Sequence, residues 1–112
     1  MRSGWKMILA VAMTAVLAGC SKPLPDDKAN YAGDWRAPEM RLVITQGGRI
    51  DYARRASGGN RTIQAPIQKF DGNDFYAGLG PLSTRFVVTR PPTVINGVWT
   101  MPVDGVELKK FP

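Results

Sequence analysis

The chain has no histidine and a single cysteine in 112 residues. The first absence removes the commonest general base, the usual partner of a nucleophilic serine or cysteine and the commonest metal ligand. The second means that no disulfide can form within the chain and that no zinc site can be built from Cys and His. Long apolar runs are scarce as well. The longest is Met7–Leu17, broken only by Thr14. Even carried on to Gly19, a helix there would rise about 20 Å at roughly 1.5 Å per residue, short of the about 30 Å of a bilayer's hydrocarbon core. No cluster of bases is long enough to suggest a nucleic-acid site, and no internal repeat is evident. Neither a cofactor nor a metal is expected.

What is present begins at the cysteine. Arg2 and Lys6 make a positive start, the apolar stretch follows, and small Ala18 and Gly19 close it. These are the parts of a secretory signal, with an ordinary signal peptide or an uncleaved anchor as alternatives. The run Leu17-Ala18-Gly19-Cys20 resembles the lipobox of bacterial lipoproteins. That resemblance implies lipidation of the Cys20 thiol, removal of residues 1–19 as a cleaved signal helix, and acylation of the new N-terminus. In diderm members of the family an aspartate after the cysteine marks inner-membrane retention. Ser21 stands there instead, so the resemblance implies a lipid anchor in the outer membrane, on its periplasmic face, with the inner membrane second.

Cleavage before Cys20 leaves 93 residues, enough for one small domain with a single core. Arg2 and Lys6 leave with the signal, so thirteen bases face nine acids, a net +4. The bias suits anionic lipid headgroups or acidic cell-wall polymers, or simply keeps the surface soluble. Residues 20–30 read as the lipidated cysteine and a flexible tether, with two prolines, three adjacent charges and little to bury. The folded domain is then 31–112.

From Tyr31 onward short alternating runs are broken by Gly, Pro, Asn and Asp, the pattern of an all-β meander. Glu39–Thr45 and Arg49–Arg55 form a hairpin. A three-residue loop, Gln46-Gly47-Gly48, pairs Ile44 with Ile50 and Leu42 with Tyr52, whereas a two-residue loop puts apolar side chains opposite polar ones. Gly48 is therefore expected in the left-handed region. Asp104-Gly105 joins Val98–Val103 to Val106–Lys110, pairing Val103 with Val106 and Met101 with Leu108. Between them lie Arg61–Phe70, where Pro66 and Phe70 suggest an edge or a bulge, Asp74–Leu79 and Thr84–Arg90. A short strand near Gly33–Arg36 precedes them. About seven strands in this length predict a small antiparallel barrel or curled sheet. Gly33-Asp34-Trp35 ahead of the meander resembles the first strand of lipocalin-like calycin barrels, which implies Trp35 plugging one end.

The most site-like stretch is Arg54, Arg55, Ser57, Gly58, Gly59 and Arg61. A glycine loop carrying three arginines fits a phosphate or carboxylate through backbone N–H groups and guanidinium forks; a solvated hairpin loop is the plainer alternative. Ser57-Gly58-Gly59 is also similar to the Ser-Gly loop of lysozyme-inhibitor lipoproteins, although the second cysteine usual in that group is absent. Asp71 and Asp74 read as turn formers rather than calcium ligands. Asp34 and Glu39 are the one carboxylate pair weighed for glycosidase chemistry. Tyr31, Trp35, Tyr52, Phe75, Phe86 and Trp99 read as core, with Tyr76 on the opposite face from Phe75. The expected function is therefore non-catalytic: a membrane-anchored periplasmic lipoprotein that binds an anionic envelope component or an envelope protein, or serves a structural role. An enzyme inhibitor working through 57–61 is second, and a hydrolase a distant third.

Overall fold

The computed structural model describes residues 21–112. The expected signal peptide and Cys20 lie outside the described residues. A short 3-10 helix, Asp26–Tyr31, leads into nine strands: β1 Gly33–Ala37, β2 Met40–Ile44, β3 Arg49–Ala56, β4 Gly59–Asp71, β5 Asp74–Leu79, β6 Leu82–Phe86, β7 Thr93–Ile95, β8 Val98–Val103 and β9 Val106–Phe111. All pairings are antiparallel, in the order β6-β5-β4-β3-β2-β1-β9-β8-β7. The sheet is open, with β6 and β7 as its two edges, so it does not close by strand pairing as a full barrel would. The expected count of about seven is too low: the eight runs named from the sequence all correspond to strands, and a ninth is present.

Both predicted hairpin registers hold. Leu42 opposes Tyr52 and Ile44 opposes Ile50, with Gly48 at φ 87°. Val103 opposes Val106 and Met101 opposes Leu108, across Asp104 and Gly105 with φ of 49° and 81°. The missing strand is β7. Asn96 and Gly97, at φ 53° and 80°, join it to β8, which is the left-handed geometry of a tight two-residue hairpin.

β4 is the sheet's corner strand. Its first part, through Pro66, pairs with β3, and its last part, from Ile67, pairs with β5. Pro66 sits at that handover, where a missing N–H does least harm. The register shifts between Ile67 and Lys69, which returns Phe70 to the core side, where it packs against Tyr31 and Phe75. The predicted strand Thr84–Arg90 ends early, at Phe86. From there the chain leaves β5, and Val88 bridges instead to Val103 on β8.

One side of the sheet is apolar and buried. Trp35, Leu42, Phe75, Ala77, Phe86, Met101, Val103 and Leu108 are fully enclosed, and Tyr31, Ile44, Tyr52 and Val88 nearly so. These residues form one cluster. Phe75 stacks on Phe86 at 4.9 Å, and Tyr52 meets Phe86 edge-on at 5.0 Å. The Trp35 indole N–H donates to the Tyr31 carbonyl at 2.8 Å, which satisfies the one polar atom that the indole takes into the core.

Much of the segment read as a tether lies against the sheet instead. The Leu24 amide donates to the Gln46 carbonyl at 2.9 Å, Leu24 packs on the core cluster, and the Lys22 carbonyl touches Gly48 closely. Two apolar anchors, Leu24 and Tyr31, outweigh the prolines and charges around them.

A basic groove on the outer face

Alternation sends the polar residues of each strand to the face away from the core. Register then lines up Lys109 of β9, Arg36 of β1, Arg41 of β2, Ala53 of β3 and Thr62 of β4. Three cations thus stand directly opposite one another across neighbouring strands, an arrangement that destabilises a sheet unless something offsets it. Asp34, on the same face of β1, supplies part of that offset. Arg36 donates to its two oxygens at 3.1 and 2.8 Å, and Arg41 does the same at 3.2 and 3.1 Å. Hydrogen bonds from Arg36 first, then Arg41, hold this carboxyl far below the usual carboxylate range. Asp34 therefore stays ionised and has no proton to donate at neutral pH. The Arg36 guanidinium also lies over the Phe111 ring at 4.4 Å.

Between this row and the β1–β2 turn is an open groove of about 380 Å³. Arg36, Arg41, Arg54 and Arg55 line it, with Asn60 and Thr62 along one wall. Glu39, in the turn, is the one carboxylate lining it among the described residues. Arg41 and Arg55 are solvent-exposed, and the Arg55 amide is fixed by the Glu39 carbonyl at 2.9 Å.

The arginines singled out in the sequence are divided by the sheet. Arg54 and Arg61 are opposite partners, which puts them on one face, while Arg55 opposes Asn60 on the other. Pairing runs as far as Ala56 and Gly59, so only Ser57 and Gly58 form the turn. The expected cradle of Arg54, Arg55, Ser57, Gly58, Gly59 and Arg61 is thus a hairpin end. Alternation separates neighbours in a strand: Arg54 and Arg55 border the groove from opposite faces of β3, and Arg61 and residues 57–59 are not part of it. Arg36 and Arg41 were not singled out in the sequence. Their signal lay in phase: Asp34, Arg36 and Arg41 all fall out of step with Trp35, Met40 and Leu42.

The remaining candidates hold the fold together. Asp74 receives Arg85 at 2.6 and 3.1 Å and the Val88 amide at 2.7 Å; these bonds, the Arg85 one foremost, lower its carboxyl below the ordinary value. Asp104 accepts from the Val87 amide at 2.8 Å while its own amide donates to the Val87 carbonyl. Together the two aspartates fasten the chain leaving β6. Asp71 reaches only Arg85, at 3.9 Å. Tyr76 lies half-buried outside, beneath Lys69 and Arg85. Lys110, on the core side, sits over Trp35 and Trp99 at 4.9 and 5.1 Å and donates to the Asn30 carbonyl at 3.1 Å; burial lowers its ammonium's pKa.

Among the described residues no group of three or more Asp, Glu, Cys or His side chains could hold a metal ion, and no helix is long and apolar enough to cross a membrane. Comparison with protein-family models, curated proteins and solved structures finds no match.

Proposed function

We propose that the protein is a lipid-anchored component of the bacterial cell envelope, attached through Cys20 and working without catalysis. Its outer face would bind a carboxylate- or phosphate-bearing polymer of the envelope. The observation that carries this reading is the cationic row Lys109–Arg36–Arg41 beside a groove that adds Arg54 and Arg55. Asp34 and Glu39 leave that row and groove in cationic excess. Guanidinium forks match the paired oxygens of carboxylate and phosphate, and an anion lying along the row would relieve the repulsion between opposed cations.

The scaffold in this reading is a sheet curled towards a barrel. Laid flat, nine strands at about 4.8 Å spacing would part β6 from β7 by almost 40 Å. Residues 87–92, which join them, reach roughly 25 Å at full stretch. The Val88–Val103 bridge and the Asp104–Val87 hydrogen bonds are consistent with such a curl.

The test uses the full chain purified in detergent from the envelope of a diderm bacterium. Binding to purified cell-wall sacculi and to vesicles containing phosphatidylglycerol is compared for native protein, R41Q/R55Q and R49Q/R61Q. Both variants lose two charges, and only the first loses groove cations. Binding to sacculi that weakens about tenfold or more in R41Q/R55Q and hardly changes in R49Q/R61Q is expected. Equal losses would reduce the effect to net charge and end the groove reading. A second reading, inhibition of an envelope enzyme by the hairpin end, is favoured by the open space around Gly58 and Gly59. It expects R55Q/R61Q, the two exposed arginines beside that turn, to lose inhibition while R41Q keeps it.

A further inference from the structure

The β5–β6 hairpin ends in Leu79-Gly80-Pro81-Leu82, and its two leucines are 64% and 78% exposed. No other large apolar residues among those described are as exposed. The whole stretch 77–84 carries no charge. A hairpin end of this kind ordinarily carries polar turn residues, and two exposed leucines there gain nothing from the fold.

Their position gives them a use. Gln68 on β4 donates its side-chain amide to the Gly80 carbonyl at 3.0 Å. The same Gln68 lines a second cavity, of about 330 Å³, together with Lys22 and Pro23. The described chain thus starts, one residue after Cys20, next to the apolar hairpin end. The Gln46–Arg49 turn lies close by, since Leu24 bonds to Gln46 and the Gly48 carbonyl accepts from the amide of Ile67, next to Gln68, at 2.7 Å. The charges on segments 21–25, 46–49 and 77–84 are Lys22 and Arg49, and neither is accompanied by an acid.

We infer that Leu79 and Leu82 dip into the bilayer that holds the lipid anchor, with Lys22 and Arg49 against its anionic headgroups. The occupant of this surface is a lipid membrane. Two apolar side chains flanked by bases match the interfacial zone, and the anchor brings it to them at no further cost in association. The inference rests on the lipoprotein reading of Cys20. With it, the domain has a fixed orientation on the membrane rather than swinging on a free tether.

The test places an environment-sensitive fluorophore on Leu82→Cys, and separately on Ser57→Cys at the far hairpin, in the full chain reconstituted into phosphatidylethanolamine–phosphatidylglycerol vesicles. Both positions are exposed, so folding is not at risk. The Leu82 label is expected to emit blue-shifted and to be quenched by nitroxide-bearing lipids, and the Ser57 label to do neither. A Leu82 label that emits as in water overturns the inference. So does a blue shift without lipid quenching, which would mean burial against protein. Labelling stoichiometry separates the two readings. A Cys20 lipidated on its sulfur leaves one reactive thiol per chain, whereas two labels per chain mean that the anchor itself is wrong. The double replacement L79S/L82S should reduce quenching of a label at Ser83→Cys, an exposed position of the same hairpin, by about tenfold, if the leucines rather than the anchor hold the hairpin in the bilayer.

Discussion

Gly47 and Gly48 are neighbours in one turn, yet alanine should be tolerated at the first and damaging at the second. At Gly47 an added methyl group meets nothing nearer than the Thr45 hydroxyl at 3.8 Å. At Gly48 it is driven into the Lys22 carbonyl oxygen, far inside van der Waals contact, and the backbone is at φ 87°. Left-handed backbone costs an alanine about 1–2 kcal/mol. The clash is with backbone, so it is relieved only if the 22–25 segment lifts. That breaks the hydrogen bond from Leu24 to Gln46, about 0.5–1.5 kcal/mol. It also uncovers Leu24, which is half-buried, at about 1 kcal/mol. The total is about 2.5–4.5 kcal/mol. For a domain of this size each kcal/mol moves Tm by about 4–8 °C, so Gly48→Ala should melt about 10–35 °C below the native chain. Gly47→Ala should stay within about 0.5 kcal/mol. Thermal unfolding followed by tryptophan fluorescence gives the shift, and amide exchange at Leu24 reports whether the segment has lifted. If the two variants melt together, or if Leu24 stays protected in Gly48→Ala, then the docking of residues 22–25 on the sheet is wrong.

Trp35 has no exposed surface and a satisfied indole N–H; Trp35→Ala should cost about 3–5 kcal/mol in chemical denaturation, and an unchanged midpoint would remove Trp35 from the core. The pH profile of stability should fall away on both sides. Asp34 and Asp74 are held below their ordinary value of 3.8 in the fold, so their contribution is complete above about pH 4 and is lost as pH drops through the lowered values. Tyr31 is pushed up to about 12 from 10.0, by burial first and the charge of Asp74 second, so its contribution is complete below pH 10 and is lost as pH rises towards 12. Urea midpoints measured across the range should show both limbs, with Asp74→Asn reducing the acid one and Tyr31→Phe the alkaline one; a flat acid limb would contradict the hydrogen bonds of the two aspartates, and a flat alkaline limb the burial of the Tyr31 hydroxyl.

Register was the most legible property of the sequence. In the β2–β3 and β8–β9 hairpins a slip of one residue sets apolar side chains against polar ones, so the turn length followed from side-chain type alone. Pro66 and Phe70 likewise announced the irregularity in β4. The edge strand β7 was missed although Asn96-Gly97 is a strong signal for a tight hairpin. Its three residues are too few to show alternation, and the two prolines ahead of it resemble a loop. The end of β6 was invisible for a different reason. Val88 continues the alternation of Phe86, but Asp104 draws Val87 across to the end of β8 and the Asp74 side chain takes the Val88 amide in place of a strand partner, and such long-range bonds leave no local pattern.

The candidate site was harder to read because it is a property of the sheet rather than of any segment. Arg54, Arg55 and Arg61 are close in sequence and so stand out there, yet a strand sends consecutive residues to opposite faces. Arg36, Arg41 and Lys109 come from three strands and meet only through register. Their placement also bears on function. The Arg49 end of β3 is the end where Lys22 and the apolar hairpin lie, and Arg55 is six residues further along, about 20 Å at roughly 3.3 Å per residue. A domain anchored at Cys20 and seated on Leu79 and Leu82 would therefore carry its guanidinium groove well clear of the headgroups. Anionic lipid in the same membrane could not easily occupy it. A polymer of the space beyond the bilayer could, which is why sacculi rather than vesicles should be sensitive to the loss of Arg41 and Arg55.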